Sequence, residues 1–225
     1  MLEPVVATLM TQSPVTVTAD LPFKQVVCAL LASDSPAVPV VTADHRPIGL
    51  ITECDLFANL EFLGGTTPAP VLGGSAARRR RRKATAATAR DLMTSPVATI
   101  KATTPISKAA CRLGGPVTPP LCVVDDDQRL VGLLTRRDLL AVYRRSDVDI
   151  AGDIHAAVAT DRTRPTRQPA ELTVEVHDGV VTLTGALTYR SQVDHAFRAT
   201  CHVPGVTAVH NNLTYEIDDM LVTGF

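Results

Sequence analysis

Apolar residues in this chain fall into short continuous runs of strand length and longer runs at helical spacing. Leu121–Val124 is a continuous run, and Asp125-Asp126-Asp127-Gln128 after it reads as a polar turn. A second buried strand ends in Gly132-Leu133-Leu134 and passes straight into Thr135-Arg136-Arg137-Asp138-Leu139-Leu140. Thr135 stands where a helix N-cap belongs, with an acid three residues later. The same order occurs earlier, as Pro39-Val40-Val41 and then Gly49-Leu50-Ile51-Thr52-Glu53-Cys54-Asp55-Leu56. Gly49, Thr52 and Asp55 match Gly132, Thr135 and Asp138 at a constant offset of 83 residues. Met10-Thr11-Gln12-Ser13-Pro14-Val15 matches Met93-Thr94-Ser95-Pro96-Val97, with one residue fewer in the second copy.

Each copy therefore predicts the order β-α-β-β-α. The first strand is Val15-Thr16-Val17 in one copy and Val97-Ala98-Thr99-Ile100 in the other. In copy one the next helix starts near Asp20 and Pro22, with Phe23, Val27, Leu30 and Leu31 as its apolar stripe. In copy two Ile106, Ala109, Ala110 and Leu113 fall at i, i+3, i+4 and i+7, and Gly114-Gly115-Pro116 stops the helix. The copies span residues 5–63 and 87–145. Neither is long enough to bury much core by itself, so the two should pack together.

Residues 64–86 break the pattern. Glycine-rich stretches and the like-charge block of residues 78–83 read as a flexible, solvated, Arg-rich linker. The block could instead meet nucleic acid, acidic lipid or an acidic partner, or fold back towards a bound polyphosphate. After Arg145 the pattern changes to α-β-β-α-β: a helix over 149–160, a Pro-containing loop over 162–169, and the alternation Leu172, Val174, Val176. An Asp178-Gly179 turn follows, then a returning strand, a helix face of Tyr189, Val193, Ala196, Phe197 and Thr200, and a last strand ending near Ile217. The fold class is α+β, with helices packed on a three-stranded sheet in the C-terminal part.

With eight aromatic residues and no tryptophan, the core must come from Val, Leu, Ile and Ala. The net charge is −1, of which residues 78–83 contribute +6, leaving −7 elsewhere and no broad basic face for nucleic acid. Five scattered cysteines without a C-x-x-C pair read as buried, reduced thiols. No run approaches the ~18 apolar residues of a membrane span, and the N-terminus has no basic, apolar leader pattern. A cytoplasmic protein is expected.

The Thr135-x-x-Asp138 pattern has two readings. It is a capping box, or it is a cradle in which Thr and backbone N–H groups meet a phosphate while the carboxylate accepts from ribose hydroxyls. The six histidines form no metal-ligand pattern, Asp125-Asp126-Asp127 lacks the spacing of a calcium loop, and there is no P-loop or G-x-S-x-G. Binding without turnover is expected.

On these residues the two copies resemble a tandem pair of CBS domains, the Bateman module. The resemblance implies clefts for an adenosine-containing regulatory ligand (AMP, ADP, ATP, S-adenosylmethionine or NAD), with no required cofactor and no metal. It places ribose on Asp55 and Asp138, gives Thr52 and Thr135 the phosphate side, and lines the adenine pocket with Val15, Val17, Val38 and Pro39 in one copy and Val97, Thr99, Pro120 and Leu121 in the other. It also implies a homodimer through the CBS modules. Copy one has Glu53-Cys54 where copy two has Arg136-Arg137, so the Thr135/Asp138 site should be the better nucleotide site. The Thr52/Asp55 site would be vacant or take a less charged ligand. Arg136 and Arg137 either set ligand preference or point to solvent.

Leu172 to Gly185, Val203-Pro204-Gly205-Val206 and Asn211-Asn212-Leu213 resemble a BON domain over residues 148–219. That resemblance implies a phospholipid or protein partner and a link to stress response. The combined expectation is a cytoplasmic sensor whose nucleotide shifts the relative orientation of the two repeats and, through it, the BON domain. The alternative is a ligand-free interaction module in which BON docks a membrane surface or a protein.

Overall fold

A computed structural model describes residues 3–33, 35–61, 74–115, 118–159 and 171–220. The expected helix stop at Pro116, the end of the first C-terminal helix at Thr160, the loop over 162–169 and the first part of the expected linker lie outside these residues. Two compact units are present, one holding Val5–Leu139 and the other built mainly from Leu140–Phe225.

In the first unit, a 3-10 turn (Val6–Thr8) and β1 (Thr11–Gln12) precede β2 (Val17–Thr18), α1 (Phe23–Leu31), β3 (Ala37–Val41), β4 (Pro47–Thr52) and α2 (Glu53–Glu61). After α3 (Ser75–Ala84) come α4 (Ala89–Leu92), β5 (Thr99–Lys101), α5 (Ile106–Leu113), β6 (Leu121–Val124), β7 (Leu130–Leu134) and α6 (Arg136–Leu140). Strands β2-β3-β4 form one sheet and β1-β7-β6-β5 the other. Strands β3 and β6 each pair parallel on one side and antiparallel on the other. Strands β3 and β6 are buried at every residue, which is why they read as unbroken apolar runs. The β3–β4 and β6–β7 turns place His45 (φ 61°) and Gln128 (φ 63°), again 83 residues apart, in the left-handed region.

The repeats exchange their leading segments. Val6 N–H donates to Thr104 O (2.8 Å) and Ala7 N–H to Ala102 O (2.9 Å); at the matched positions Ala89 N–H donates to Leu21 O (2.9 Å) and Arg90 N–H to Ala19 O (2.8 Å). Strand β1 of the first repeat pairs with β7 of the second, and Thr94 bridges to Leu50 in return. A Cβ on Gly132 would lie 2.4 Å from Met10 Sδ, and one on Gly49 2.4 Å from Met93 Sδ. Accordingly Val6, Leu9 and Met10 pack with Ile100, Leu113 and Leu134 of the second repeat, while Ala89, Leu92 and Met93 pack with Val26, Val38 and Ile51 of the first. A third cluster joins the two sheets through Ala37, Val41 and Leu50 on one side and Cys122, Leu130 and Leu133 on the other.

Several expectations are corrected. The first strand of repeat one is β2, and Val15 before it is 40% exposed. The inward stripe of α1 is Val26 and Leu30; Leu31, one residue on and so about 100° around the helix, is 80% exposed. In α5 Ala109 and Leu113 are buried and Ala110 is exposed. Of the five cysteines, only Cys122 is buried; Cys28, Cys54, Cys111 and Cys201 lie on exposed positions. The charge block is helical rather than a solvated coil: residues 78–83 sit in α3, where alanine and arginine are both strong helix formers. Asn59 Nδ2 donates to Ala84 O (2.9 Å), and Arg80 pairs with Glu61, tying α3 to α2.

In the second unit α7 (Asp147–Ala159) precedes β8 (Glu171–His177), β9 (Val180–Tyr189), α8 (Arg190–Cys201) and β10 (Ala208–Ile217). Strand β9 is central, antiparallel to β8 and parallel to β10. Ile150, Ile154, Val181, Leu183 and Val203 form the core. The β8–β9 turn has positive φ at both Asp178 and Gly179, the requirement of a tight hairpin, and Asp147 accepts from both of their N–H groups. No helix among the described residues is long and apolar enough to cross a membrane.

Gly132→Ala and Gly49→Ala should each cost about 1–3 kcal/mol in chemical denaturation. Met10→Ala should relieve most of the first, because two of the three atoms nearest that Cβ are Met10 Sδ and Cγ, which the truncation removes, and the third is the Thr11 carbonyl at 3.0 Å. Met93→Ala should not relieve the second, because Met93 Cβ itself would remain 2.8 Å away. Burial pushes the Cys122 thiol up to about 12. The unfolded chain then loses that proton first, so stability present below about pH 9 should fall by up to about 1.4 kcal/mol per pH unit above it. Denaturation of wild type and Cys122→Ala across pH 8–11 should show the stability difference narrowing as pH rises.

Candidate functional site

The exchange of leading segments brings the two matched strand-to-helix junctions to one cleft of about 900 Å³ in the first unit. Its wall is built from pairs at the repeat offset: Thr11 and Thr94, Leu30 and Leu113, Ser35 and Thr118, Pro36 and Pro119, Thr52 and Thr135, Asp55 and Asp138. The symmetry breaks where Glu53 and Cys54 stand at the positions matched by Arg136 and Arg137, and where Arg79 of α3, Val97 and Pro120, among others, enter the wall without a lining counterpart.

Both junctions bond the threonine to the acid three residues on, and the second closes the reciprocal capping box. Thr52 N–H (2.8 Å) and Oγ1 (2.9 Å) donate to Asp55 Oδ2. Thr135 N–H (2.7 Å) and Oγ1 (2.9 Å) donate to Asp138 Oδ2, and Asp138 N–H returns a bond to Thr135 Oγ1 (3.2 Å). Each junction uses one carboxylate oxygen. The other differs between copies. Asp55 Oδ1 accepts from Lys83 Nζ at 2.5 Å, whereas Asp138 Oδ1 has no partner among the described residues. Lys83 is buried and also donates to Thr94 Oγ1 (3.0 Å). Burial pulls its pKa below the ordinary lysine value; Asp55 acts the other way, and Arg79 and Arg82 add to the lowering.

The two arginines of the second copy divide. Arg136 Nε donates to Leu113 O (2.9 Å), and its Nη2 donates to Gly115 O. It caps the C-terminal end of α5, where a cation also meets the favourable end of the helix dipole. Arg136 is nevertheless exposed and lines the cleft, so it faces solvent as one of the two expectations had it, with its guanidinium tied to these carbonyls. Arg137 is exposed, lines the cleft and has no hydrogen-bond partner among the described residues.

Of the expected site residues, Thr52, Asp55, Val97, Pro120, Thr135, Arg136, Arg137 and Asp138 line the cleft. The others do not. Val17, Val38 and Leu121 point into the hydrophobic cores, Pro39 is buried in β3, and Val15 is exposed outside the cleft. Thr99 instead lines a separate concavity of about 360 Å³ with Lys101, Lys108 and Arg112. Strands β3 and β6 put both of their faces into the cores, and none of their residues lines the cleft. The wall is made by the segments just before β3 and β6, at Ser35-Pro36 and Thr118-Pro119-Pro120, and by Thr11 and Thr94 in the exchanged segments. The matched Met-Thr pairs were visible in the sequence, but not that each serves the other repeat. Ser35 Oγ is buried with no partner among the described residues.

Arg136→Ala should cost about 1–2 kcal/mol by denaturant titration, because it leaves carbonyls at the end of α5 without a donor. Arg137→Ala should stay within about 0.5 kcal/mol of wild type.

A family model described as the CBS domain matches residues 6–61 and 89–145, and one described as the BON domain matches residues 146–216. No curated protein matches the chain. Among solved structures, CBSX2 in complex with AMP superposes with a TM-score of 0.52 at 23% identity, covering 61% of this chain and 94% of that one. A CBS domain-containing protein from Bacillus anthracis gives 0.46 at 21% identity, covering 63% and 93%. The CBS domain pair of MJ0100 in complex with 5′-methylthioadenosine and S-adenosyl-L-methionine gives 0.49 at 19%, covering 64% and 98%. With matches over half its length and the same fold, the chain belongs to the CBS-domain family, carrying two CBS domains followed by a C-terminal BON domain.

Proposed function

We propose that this chain is a cytoplasmic regulatory protein that reversibly binds an adenine nucleotide in the CBS cleft, with Thr135 and Asp138 as its principal cradle. The observation that carries this reading is Asp138. One of its oxygens is held by the capping box, so the carboxylate is oriented, and the other has no partner among the described residues and borders the cleft. Such an acceptor suits a pair of ribose hydroxyls. Arg137 and Arg79, both on the cleft wall, supply cations for phosphates. The AMP in the CBSX2 structure supports the choice of ligand class. AMP, ADP and ATP are the leading candidates, with S-adenosylmethionine and NAD also in the class.

The reading is binding without turnover. Asp55 and Asp138 act as helix caps, which ties them to the fold rather than to proton transfer. Five unpaired cysteines suit a reducing compartment. Phe57 and Leu60 on α2 are exposed, as are their offset matches Leu140 and Tyr143, and these paired apolar positions support assembly of two chains through the CBS repeats. Coupling to the BON domain would start from α6: the helix that carries Asp138 ends at Leu140, and Ala141–Arg144 leads on to α7. A ligand with different affinities for two arrangements of the repeats would shift their populations, and the BON domain with them.

Calorimetric titration of the full chain with AMP, ADP, ATP and S-adenosylmethionine tests the reading. Asp138→Asn keeps a capping oxygen but presents an amide donor in place of Oδ1. It should weaken nucleotide binding by about tenfold or more, the scale of a lost charged hydrogen bond. Asp55→Asn should change it less than about threefold, well under the 1.4 kcal/mol that a tenfold loss represents. Arg137→Ala should weaken ATP more than adenosine. Equal losses at both aspartates would overturn the ranking of the cradles. Absence of heat with every ligand would leave the BON-centred interaction module as the better account.

A further inference from the structure

The helix formed by the arginine block carries one residue that the nucleotide reading does not use. Lys83 ends a run of five arginines, yet its side chain is only 4% exposed and that of its partner Asp55 only 13%. Its Nζ makes two contacts, with Asp55 Oδ1 (2.5 Å) and Thr94 Oγ1 (3.0 Å), and both partners border the cleft. We propose that Lys83 is a built-in occupant of the first cradle, holding Asp55 so that the cleft takes a single nucleotide, at Thr135 and Asp138. This deepens the function proposed above and rests on it.

Three features favour this role over that of an ordinary ion pair. Asp55 already spends Oδ2 on the Thr52 N–H and hydroxyl, so the ammonium takes the oxygen that a ribose would need. The comparison lies within the same molecule: Asp138 Oδ2 accepts the same two threonine bonds with Oδ1 unpartnered among the described residues, and Thr11, the match of Thr94, has no side-chain partner among them either. Finally, a buried ion pair seldom stabilises more than well-packed apolar side chains do, so stability alone gives little reason to bury a lysine beside this aspartate. Arg79, one helical turn before Lys83, lines the cleft itself, so α3 forms part of the wall beside the first cradle.

The alternative within the same geometry is that Lys83 helps the first cradle by meeting a phosphate there. Binding stoichiometry separates the two. Titration of the full chain with AMP should give one nucleotide per chain for wild type and two for Lys83→Met, which keeps the buried stem and removes the charge. Adding Asp55→Asn to Lys83→Met should return the count to one. Lys83→Ala serves the same test if Lys83→Met shows a lost folding transition by circular dichroism. Two nucleotides bound by wild type, or one by both wild type and Lys83 variants, would overturn the occupant while leaving the nucleotide reading standing. No binding by any of the proteins would remove the nucleotide reading, and the occupant with it.

Discussion

The Met10 side chain fills the space beside Gly132, and Met93 fills the same space beside Gly49. Much else in the CBS unit depends on this reciprocal contact. Because each methionine belongs to the other repeat, neither repeat completes its own core: Val6 and Leu9 finish the second, Ala89 and Leu92 the first. Glycine is required at both strand positions by close approach rather than by backbone conformation. Neither Gly49 nor Gly132 has a positive φ, yet a single added methyl group would overlap a side chain from the neighbouring repeat. The exchange also fixes the register between repeats, since the bonds from Val6 to Thr104 and from Ala89 to Leu21 recur at the same offset.

The cleft is a consequence of that register. Thr94 lies beside Leu50 and Thr11 beside Leu133, so each exchanged segment borders the end of the strand that runs into the other repeat's capping box. Two helix N-termini are thereby brought to one cavity, with favourable ends for anionic groups. Eight pairs of wall positions match at the repeat offset. The asymmetry of the site is carried by Glu53 against Arg136, by Cys54 against Arg137, and by positions whose match does not line the cleft, among them Arg79 of α3, Val97 and Pro120. Arg136 is tied to the carbonyls at the end of α5, while Arg137 and Arg79 line the same cleft without such a bond among the described residues.

The repeat, its element order and the capping boxes were legible because each rests on local pattern: an unbroken apolar run, a turn, a threonine and an acid at fixed spacing. The C-terminal α-β-β-α-β order was legible for the same reason, through Asp178-Gly179 and the alternation before it. What was not legible depends on partners distant in sequence. No local signal shows that Met10 serves Gly132, or that Arg136 turns towards Leu113 and Gly115. Residues 78–83 read as a flexible, solvated linker because like charges repel; Arg78 to Arg82 are exposed, but helix propensity together with the contacts of Asn59 and Asp55 outweighs the repulsion and makes the block a helix with Lys83 buried. The adenine-side residues were misplaced by a shift along the strand: the chain lines the cleft before β3 and β6, and within those strands Val38 and Leu121 already face the cores.

The same threonine-to-carboxylate contact occurs three times in this unit, at Thr52/Asp55, Thr88/Asp91 and Thr135/Asp138. In all three, one carboxylate oxygen takes the threonine N–H and hydroxyl. At Asp91 those bonds hold the carboxyl below its ordinary pKa, and that box does not border the cleft. The threonine-to-acid spacing is therefore a device for starting helices, and by itself it specifies no ligand. What distinguishes the three acids is their surroundings. Asp91 caps a four-residue helix away from the cavity, Asp55 faces the cavity but is held by Lys83, and Asp138 faces it with an oxygen to spare. One local motif thus sits in three different surroundings, and the difference comes from tertiary packing, including where a single buried lysine is placed.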